Sequence, residues 1–393
     1  DVTKLELNDP AMLSLFTSVE ALKVKPEDID SNTGTLGIPE FGTNFVRGML
    51  MDAKPKNIED LIRISGLSHG TNVWLDNAQS LITNLKLTLS DVICTRDDIM
   101  LYLKGRGMEP FHAFKIMESV RKGKGLKPED EEAMGKVKVP DWYVDSCKKI
   151  KYMFPKAHAV AYVLNAARIA YCKVHYPLAF YATYFSIKRD HLNSTLVSKG
   201  LKAVRQELYA LRNKGKDATA NDQASIEILE LAQEMYARGF EMLPLDIYKS
   251  HPTKCLIKDG KILPPLNSIP GLSEAVAASI AKAREEVGTF SNQEEFQRLV
   301  GCNSTLLAAM KNDGLLGDMP ESSQTDFFSM FSSPEPKKVE DPAPEAKDES
   351  EVYLKPNTLT PKSEPKVQEN VPTPPPPEET KPEPEPDTQL SLF

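Results

Sequence analysis

Cysteine is scarce and scattered in this chain. Its 393 residues hold five, Cys94, Cys147, Cys172, Cys255 and Cys302, and no two form a CxxC pair. That spacing excludes a zinc ribbon and a disulfide framework, and it fits a reducing, cytoplasmic setting. No apolar run approaches the about 18 residues that a membrane span requires, and no signal peptide is visible. The expectation is a soluble chain with no membrane partner. A Walker A loop is also missing, because Arg121–Gly125 is not followed by Gly-Lys-Ser/Thr at the required spacing. Ser68 and His69 adjoin, but no Asp or Glu nearby is placed to orient the histidine and no nucleophile elbow is present, which excludes a hydrolase triad. The chain opens on Asp1 rather than methionine, so it is expected to be a fragment or the tail of a longer one. Its length suggests two or three domains.

What is present is unevenly distributed. Residues 333–388 carry fourteen acidic and seven basic side chains, a net of −7 out of −8 for the whole chain. The acidic balance therefore belongs to that stretch. Residues 96–175 carry sixteen Lys/Arg and ten Asp/Glu, a net of +6. A local basic region of this kind is the electrostatic footprint of polyanion binding.

Residues 1–60 read as short helices joined by turns, with Asp9-Pro10 and Pro26-Glu27-Asp28 as two openings. The Gly/Pro-rich Gly34–Thr43 is a loop. From Asp60 an apolar helical end runs to a stop at glycine, and a small polar loop presents Ser68 and His69. Asp97 and Asp98 are adjacent, so on a helix they point about 100° apart and seldom share one ion. They read instead as first-turn caps. Phe114–Val120 is amphipathic and ends in Arg121-Lys122-Gly123-Lys124-Gly125, which reads either as a solvated turn or as a close approach to phosphate. Trp142 reads as a core anchor. Tyr143–Tyr184 is the centre of the chain. After Lys148, Lys149 and Lys151, a Phe154-Pro155 break opens a long helix carrying Lys156, His158, Tyr162 and Arg168. Proline suits a helix start, where its missing N–H has no intrahelical partner. Cations beside aromatic rings suit a triphosphate with a base stacked nearby, and equally a solvated face.

Residues 190–240 are helical and of mixed charge, with Leu201, Leu208 and Leu211 at core spacing. Further on, Cys255–Lys258 turns at Asp259-Gly260, a hairpin signal. Leu266–Ile280 reads as a helix-hairpin-helix, whose Pro270-Gly271-Leu272-Ser273 turn aims backbone N–H groups at a DNA phosphate. The pattern usually has glycine where Ser273 stands. Ser273 then either caps the helix or donates its hydroxyl to phosphate, and Glu274 opposes phosphate slightly.

Residues 333–388 hold fifteen of the thirty prolines. Such a segment buries too little apolar surface to offset its ordering entropy, and is expected to be a disordered linker whose ends lie roughly 40 Å apart. It ends in Gln389-Leu390-Ser391-Leu392-Phe393, apolar residues at an exposed terminus.

Four segments stand close to one family's wording: TGTLGIPEFGT from Thr33, ISGLSHGT from Ile64, FKIMESVRKGKGL from Phe114 and IKYMFPKAHAVAY from Ile150. They resemble the PolC-type bacterial replicative DNA polymerase III alpha subunit, over about residues 1–320 and the last five. The resemblance implies a mainly α fold. Polymerase fingers span 1–190, a helical connector 191–240, and an α+β helix-hairpin-helix domain for duplex 241–320. It places Arg96, Lys115, Arg121, Lys156 and His158 at the triphosphate of an incoming dNTP, with Phe154 and Tyr162 near the base. Lys122, Lys124, Gly271, Leu272 and Ser273 face DNA. In this family, palm aspartates hold two Mg²⁺ ions for nucleotidyl transfer. Those carboxylates are expected before Asp1, and no matching catalytic or metal-binding set is found in this chain.

QLSLF matches the peptide by which bacterial polymerases engage the sliding clamp, through Gln389, Leu390, Leu392 and Phe393. The family usually carries it directly after the duplex-binding domain, where this chain has Gln324-Thr325-Asp326-Phe327-Phe328. Either that stretch of 321–332 is a weakened second clamp peptide, or Phe327, Phe328 and Phe331 pack back on the domain. Implied partners are primer–template DNA, dNTP, the clamp and other replisome subunits. The alternative is a non-catalytic DNA- and clamp-binding accessory protein.

Overall fold

The computed structural model describes residues 4–322. The clamp-peptide readings at Gln324–Phe328 and Gln389–Phe393, and the linker between them, lie outside the described residues.

The described part is helical apart from one hairpin. Two short helices, α1 (Pro10–Ser14) and α2 (Pro26–Ile29), start where the prolines place them, and the Asp9 carboxylate caps α1 by accepting from Met12 N–H at 2.6 Å. Then follow α3 (Asn44–Ala53), α4 (Ile58–His69), α5 (Gln79–Thr83), α6 (Arg96–Gly105), α7 (Pro110–Arg121), α8 (Pro128–Lys136) and α9 (Asp141–Lys149). The long helix α10 (Lys156–His175) leads to α11 (Pro177–Ile187), α12 (Ser194–Val197), α13 (Leu201–Arg212) and α14 (Ala220–Ala237). Strands β1 (Leu256–Lys258) and β2 (Lys261–Leu263) pair antiparallel, with Ile257 opposite Ile262. Asp259 and Gly260 at their turn both have positive φ (51° and 74°), as a two-residue hairpin requires. Last come α15 (Glu274–Val287), α16 (Gln293–Val300) and α17 (Ser304–Asn312).

Helix α4 departs from the sequence expectation. It runs through Gly66 to His69, so Ser68 and His69 sit in its last turn rather than in a loop. Gly66 is a packing residue, not a stop. A Cβ there would lie 2.7 Å from both the Cys94 carbonyl oxygen and Thr95 Cγ2.

One continuous core runs from Met12 to Ile262, and α13 and α14 contribute Val204, Leu208, Leu229 and Leu231 to it. A second, smaller core joins Leu245 and Ile247 to Ile280, Phe296 and Met310 of α15–α17. Trp142 is half-buried against the first core.

That core contains a charge pair. Lys173 of α10 and Glu234 of α14 are both fully buried, 2.8 Å apart. The ammonium also donates to the carbonyls of Gly34 (2.8 Å) and Leu36 (2.5 Å), while Tyr181 O–H donates to Glu234 at 2.7 Å. Burial pulls the Lys173 pKa down to about 8, against the raising effect of Glu234. The loop that begins at Thr33 is thus pinned to α10 and α14 from beneath.

Candidate nucleotide-binding site

The site is built where α10 starts. Pro155 is extended (φ −74°, ψ 145°) and places Lys156 at the first helical position. The backbone N–H of Lys156 donates to Asp97 Oδ2 at 2.7 Å. Asp98 Oδ2 accepts from the N–H groups of Cys94 (3.0 Å) and Thr95 (2.7 Å), closing the start of α6. The Arg96 N–H donates to the Phe154 carbonyl at 3.2 Å. The two aspartates therefore act as caps, and Asp97 caps a helix 59 residues away. Because each carboxylate is committed to a different helix, they do not form a paired Mg²⁺ site. Among the described residues no group of three or more His, Cys, Asp or Glu is placed to hold a metal ion.

A run of rings extends from this corner. Phe154 lies 5.5 Å from Tyr152 and 4.8 Å from His158, measured between centroids, and His158 lies 4.5 Å from Tyr162. The last two pack together, tilted by 43°, because residues four apart share a helix face. His69, at the end of α4, joins at 5.2 Å from Phe154. An antiparallel bridge brings it there: Thr71 N–H donates to the Tyr152 carbonyl and Lys151 N–H to the Thr71 carbonyl, both at 3.0 Å. Tyr152 and Tyr162 remain 45 % and 48 % exposed, so the two ends of the ladder are open to solvent. His69 also corrects the sequence reading that no acid orients it. Its Nε2 contacts the Glu40 carboxylate, from the loop 29 residues earlier, where Glu40 has φ 70°. Ser68 Oγ instead donates to the Ser65 carbonyl at 2.9 Å, so no Ser–His relay forms.

The cations divide into two places. Lys156 Nζ lies 2.7 Å from Glu59 Oε1, and the Arg96 side chain is half-buried at the same corner. Arg121 pairs with Glu118 through Nε (2.5 Å) and Nη2 (2.8 Å), and Lys122 reaches the same carboxylate at 2.9 Å. Those contacts hold the Glu118 carboxyl down at about 2. Lys115 sits over the Phe111 ring at 4.4 Å. With Lys122 and Lys124 it lines a cavity of about 560 Å³ beside α7 and α8, away from the ladder residues. The turn between the two places is fixed by Gly123 (φ 69°), where a Cβ would stand 2.5 Å from the Lys151 carbonyl oxygen. Arg96, Phe154, Lys156, His158 and Tyr162 thus come together, while Lys115, Lys122 and Lys124 share a neighbouring groove.

At the C-terminal side, Gly271 has φ 82°, Leu272 is buried, and Ser273 Oγ accepts from Val276 N–H at 3.3 Å. Ser273 is the cap of α15. Glu274 is held by Arg189, which faces the hairpin from the end of α11. A second turn repeats the arrangement before α17. Gly301 has φ 73°, Cys302 is buried, and Asn303 Oδ1 accepts from Leu306 N–H at 2.8 Å. The sequence reading missed it because no Pro-Gly marks it; the Gly-apolar-Asn triplet was the available signal.

Comparison with known proteins agrees with this geometry. Residues 1–138 match the family described as the bacterial DNA polymerase III alpha subunit finger domain, and residues 239–325 match the helix-hairpin-helix motif. The DNA polymerase III PolC-type of Listeria welshimeri is 51 % identical over 328 residues, covering 84 % of this chain and 23 % of that protein. Those of Thermotoga maritima and Bacillus subtilis are each 50 % identical over 329 and 328 residues, 84 % of this chain and 24 % and 23 % of theirs. The chain spans about a quarter of the length of the curated relatives it matches. With its fingers signatures intact and its helix-hairpin-helix turns formed, the chain corresponds to the fingers and helix-hairpin-helix region of the PolC-type DNA polymerase III alpha subunit.

Proposed function

We propose that this chain serves a replicative, cytoplasmic DNA-directed DNA polymerase as its nucleotide-receiving and duplex-holding portion. The incoming dNTP lies at the start of α10, with Lys156, Arg96 and His158 toward its phosphates and Phe154 and Tyr162 beside its base. Arg121, Lys115, Lys122 and Lys124 offer a second, neighbouring cationic surface: Arg121 and Lys115 to the outer phosphates of the dNTP, Lys122 and Lys124 to the template backbone. The observation that carries this reading is the convergence of five candidate residues, from two segments 58 residues apart, on one capped helix start. An exposed aromatic ladder beside cations suits a base and its phosphates together.

Chemistry itself is assigned elsewhere. Mg²⁺ in the whole enzyme would activate the primer hydroxyl and stabilise pyrophosphate. Among the described residues, Asp97 and Asp98 are each committed to a different helix start and offer that ion no paired site. The part of the described residues is to bind, orient and exclude water. The Gly271–Ser273 hairpin holds duplex by its backbone, a sequence-independent and salt-sensitive contact. Gln389, Leu390, Leu392 and Phe393 dock on a sliding clamp, and Gln324, Phe327 and Phe328 supply a second, weaker clamp contact. Other replisome subunits are further partners.

Photocrosslinking tests the nucleotide reading. An azido-dNTP bound to the 393-residue chain should label the Tyr152–Tyr162 peptide, and Lys156→Ala with His158→Ala should abolish labelling. Duplex binding without any such labelling would favour the accessory-protein alternative. An Asp387–Phe393 peptide should bind a bacterial clamp saturably and lose that binding on Leu392→Ala with Phe393→Ala.

A further inference from the structure

The cation at the head of α10 is not free. Glu59 Oε1 lies 2.7 Å from Lys156 Nζ and 3.3 Å from Arg63 Nη2, so a single carboxylate oxygen bridges two cations from different helices. Glu59 is 46 % exposed, whereas Arg63 is 17 % exposed and anchored by Nη1 to the Leu89 carbonyl at 3.3 Å. The Nε atoms of Arg63 and of Arg96 are both shielded from solvent and have no hydrogen-bond partner. Each of these guanidiniums thus keeps one N–H without an acceptor, and the Glu59 carboxylate that links Arg63 to Lys156 belongs to a half-exposed side chain. A carboxylate oxygen between an ammonium and a guanidinium occupies the position a phosphate oxygen takes when both cations bind it.

We infer that Arg63 is a further phosphate-binding residue of this site, and that Glu59 is an internal anion that holds Arg63 and Lys156 until a triphosphate displaces it. The inference rests on the triphosphate reading above. Its chemistry follows from exchange: the incoming phosphate carries more charge and more acceptor oxygens than the carboxylate it replaces. The long side chain of Glu59 swings to solvent without disturbing the backbone of α4. Of the other acids at the corner, Asp97 is bound to the Lys156 N–H, and Asp98 caps α6 through Oδ2 while its Oδ1 stands 3.9 Å from Arg63 Nη1, a longer contact that does not reach Lys156 and stays in place when Glu59 leaves. Exposed carboxylate–cation pairs of this type are weak, so the competition is worth about two- to fivefold in affinity.

The test is a titration of the 393-residue chain with inorganic tripolyphosphate and, in parallel, with a dNTP at low salt. Wild type is compared with Glu59→Gln, Lys156→Gln and the double variant Glu59→Gln/Arg63→Gln. Thermal melts confirm that each variant is folded. Expected is a two- to fivefold tighter Kd for Glu59→Gln with both probes, and loss of that gain in the double variant. If Lys156→Gln weakens binding while Glu59→Gln leaves it unchanged or weaker, the inference falls and the triphosphate reading stands. Gain in Glu59→Gln that persists in the double variant removes Arg63 from the site. If Lys156→Gln has no effect on either probe, both readings fall.

Discussion

Replacing Glu234 with Gln strands a fully buried charge, the Lys173 ammonium. Lys173 then keeps the Gly34 and Leu36 carbonyls as acceptors but loses its counter-charge, and Tyr181 O–H loses an ionised acceptor. Removing one partner of a buried pair costs about 3–5 kcal/mol. At about 2 °C per kcal/mol for a domain of this size, the melting midpoint falls by about 6–10 °C. The pH dependence has a definite sign. In the wild type the folded-state pKa of Lys173 is lowered to about 8, below its unfolded value, so the unfolded chain binds the extra proton above that pH. Without Glu234, the carboxylate that raises it, the folded-state pKa drops further. The variant therefore begins gaining stability at a lower pH than the wild type, and its deficit narrows as pH rises toward about 8. Urea melts at pH 6, 7 and 8 measure this. A deficit under about 1 kcal/mol at pH 6, or one that widens with pH, refutes the reasoning. Lys173→Met with Glu234→Leu should recover part of the loss but not all, because the two loop carbonyls stay unpaired.

Three further outcomes follow from the site. Asp97→Ala should cost about 1 kcal/mol by uncapping α10, and amide exchange at Lys156–Ala159 should speed up; unchanged exchange there would falsify the cross-helix cap. Gly123→Ala forces a side chain into the left-handed region and against the Lys151 carbonyl, so a loss of about 1–3 kcal/mol is expected in chemical denaturation, with an equal melt sinking the close-approach argument. Ser273→Asp keeps a good N-cap while placing a negative charge at the hairpin, so stability should hold and duplex affinity should fall. Unaltered duplex binding by anisotropy would show that DNA does not approach this turn.

The features legible in the sequence are those whose cause acts within a turn of chain. Pro10, Pro26 and Pro155 fix φ at helix starts, and Asp259-Gly260 supplies the two positive φ values of a hairpin. What stayed hidden depends on partners far along the chain. Lys173 lies in an alanine-rich helix and looks like any solvated lysine, until Glu234 and two loop carbonyls surround it. Glu40 and His69 meet because α4 extends past Gly66, a glycine that serves inside the helix because the Cys94 carbonyl and Thr95 Cγ2 leave no room for a Cβ. The ladder was half visible. His158 and Tyr162 share a face by periodicity, whereas His69 arrives through a backbone bridge that no local pattern encodes. At Asp97 the capping chemistry was readable, but not which helix it would serve.

The consecutive caps Asp97 and Asp98 have a mechanical consequence. One backbone step links the carboxylate that starts α10 to the carboxylate that starts α6, and the Arg96–Phe154 hydrogen bond closes the same corner. The two helices share a pivot. A tilt of α10 that brings Lys156 toward a ligand must turn α6 with it, and α6 carries Tyr102, whose ring stacks on Tyr143 of α9 at 4.1 Å. Motion at the start of α10 is therefore geared to the far helices rather than absorbed by a loose joint.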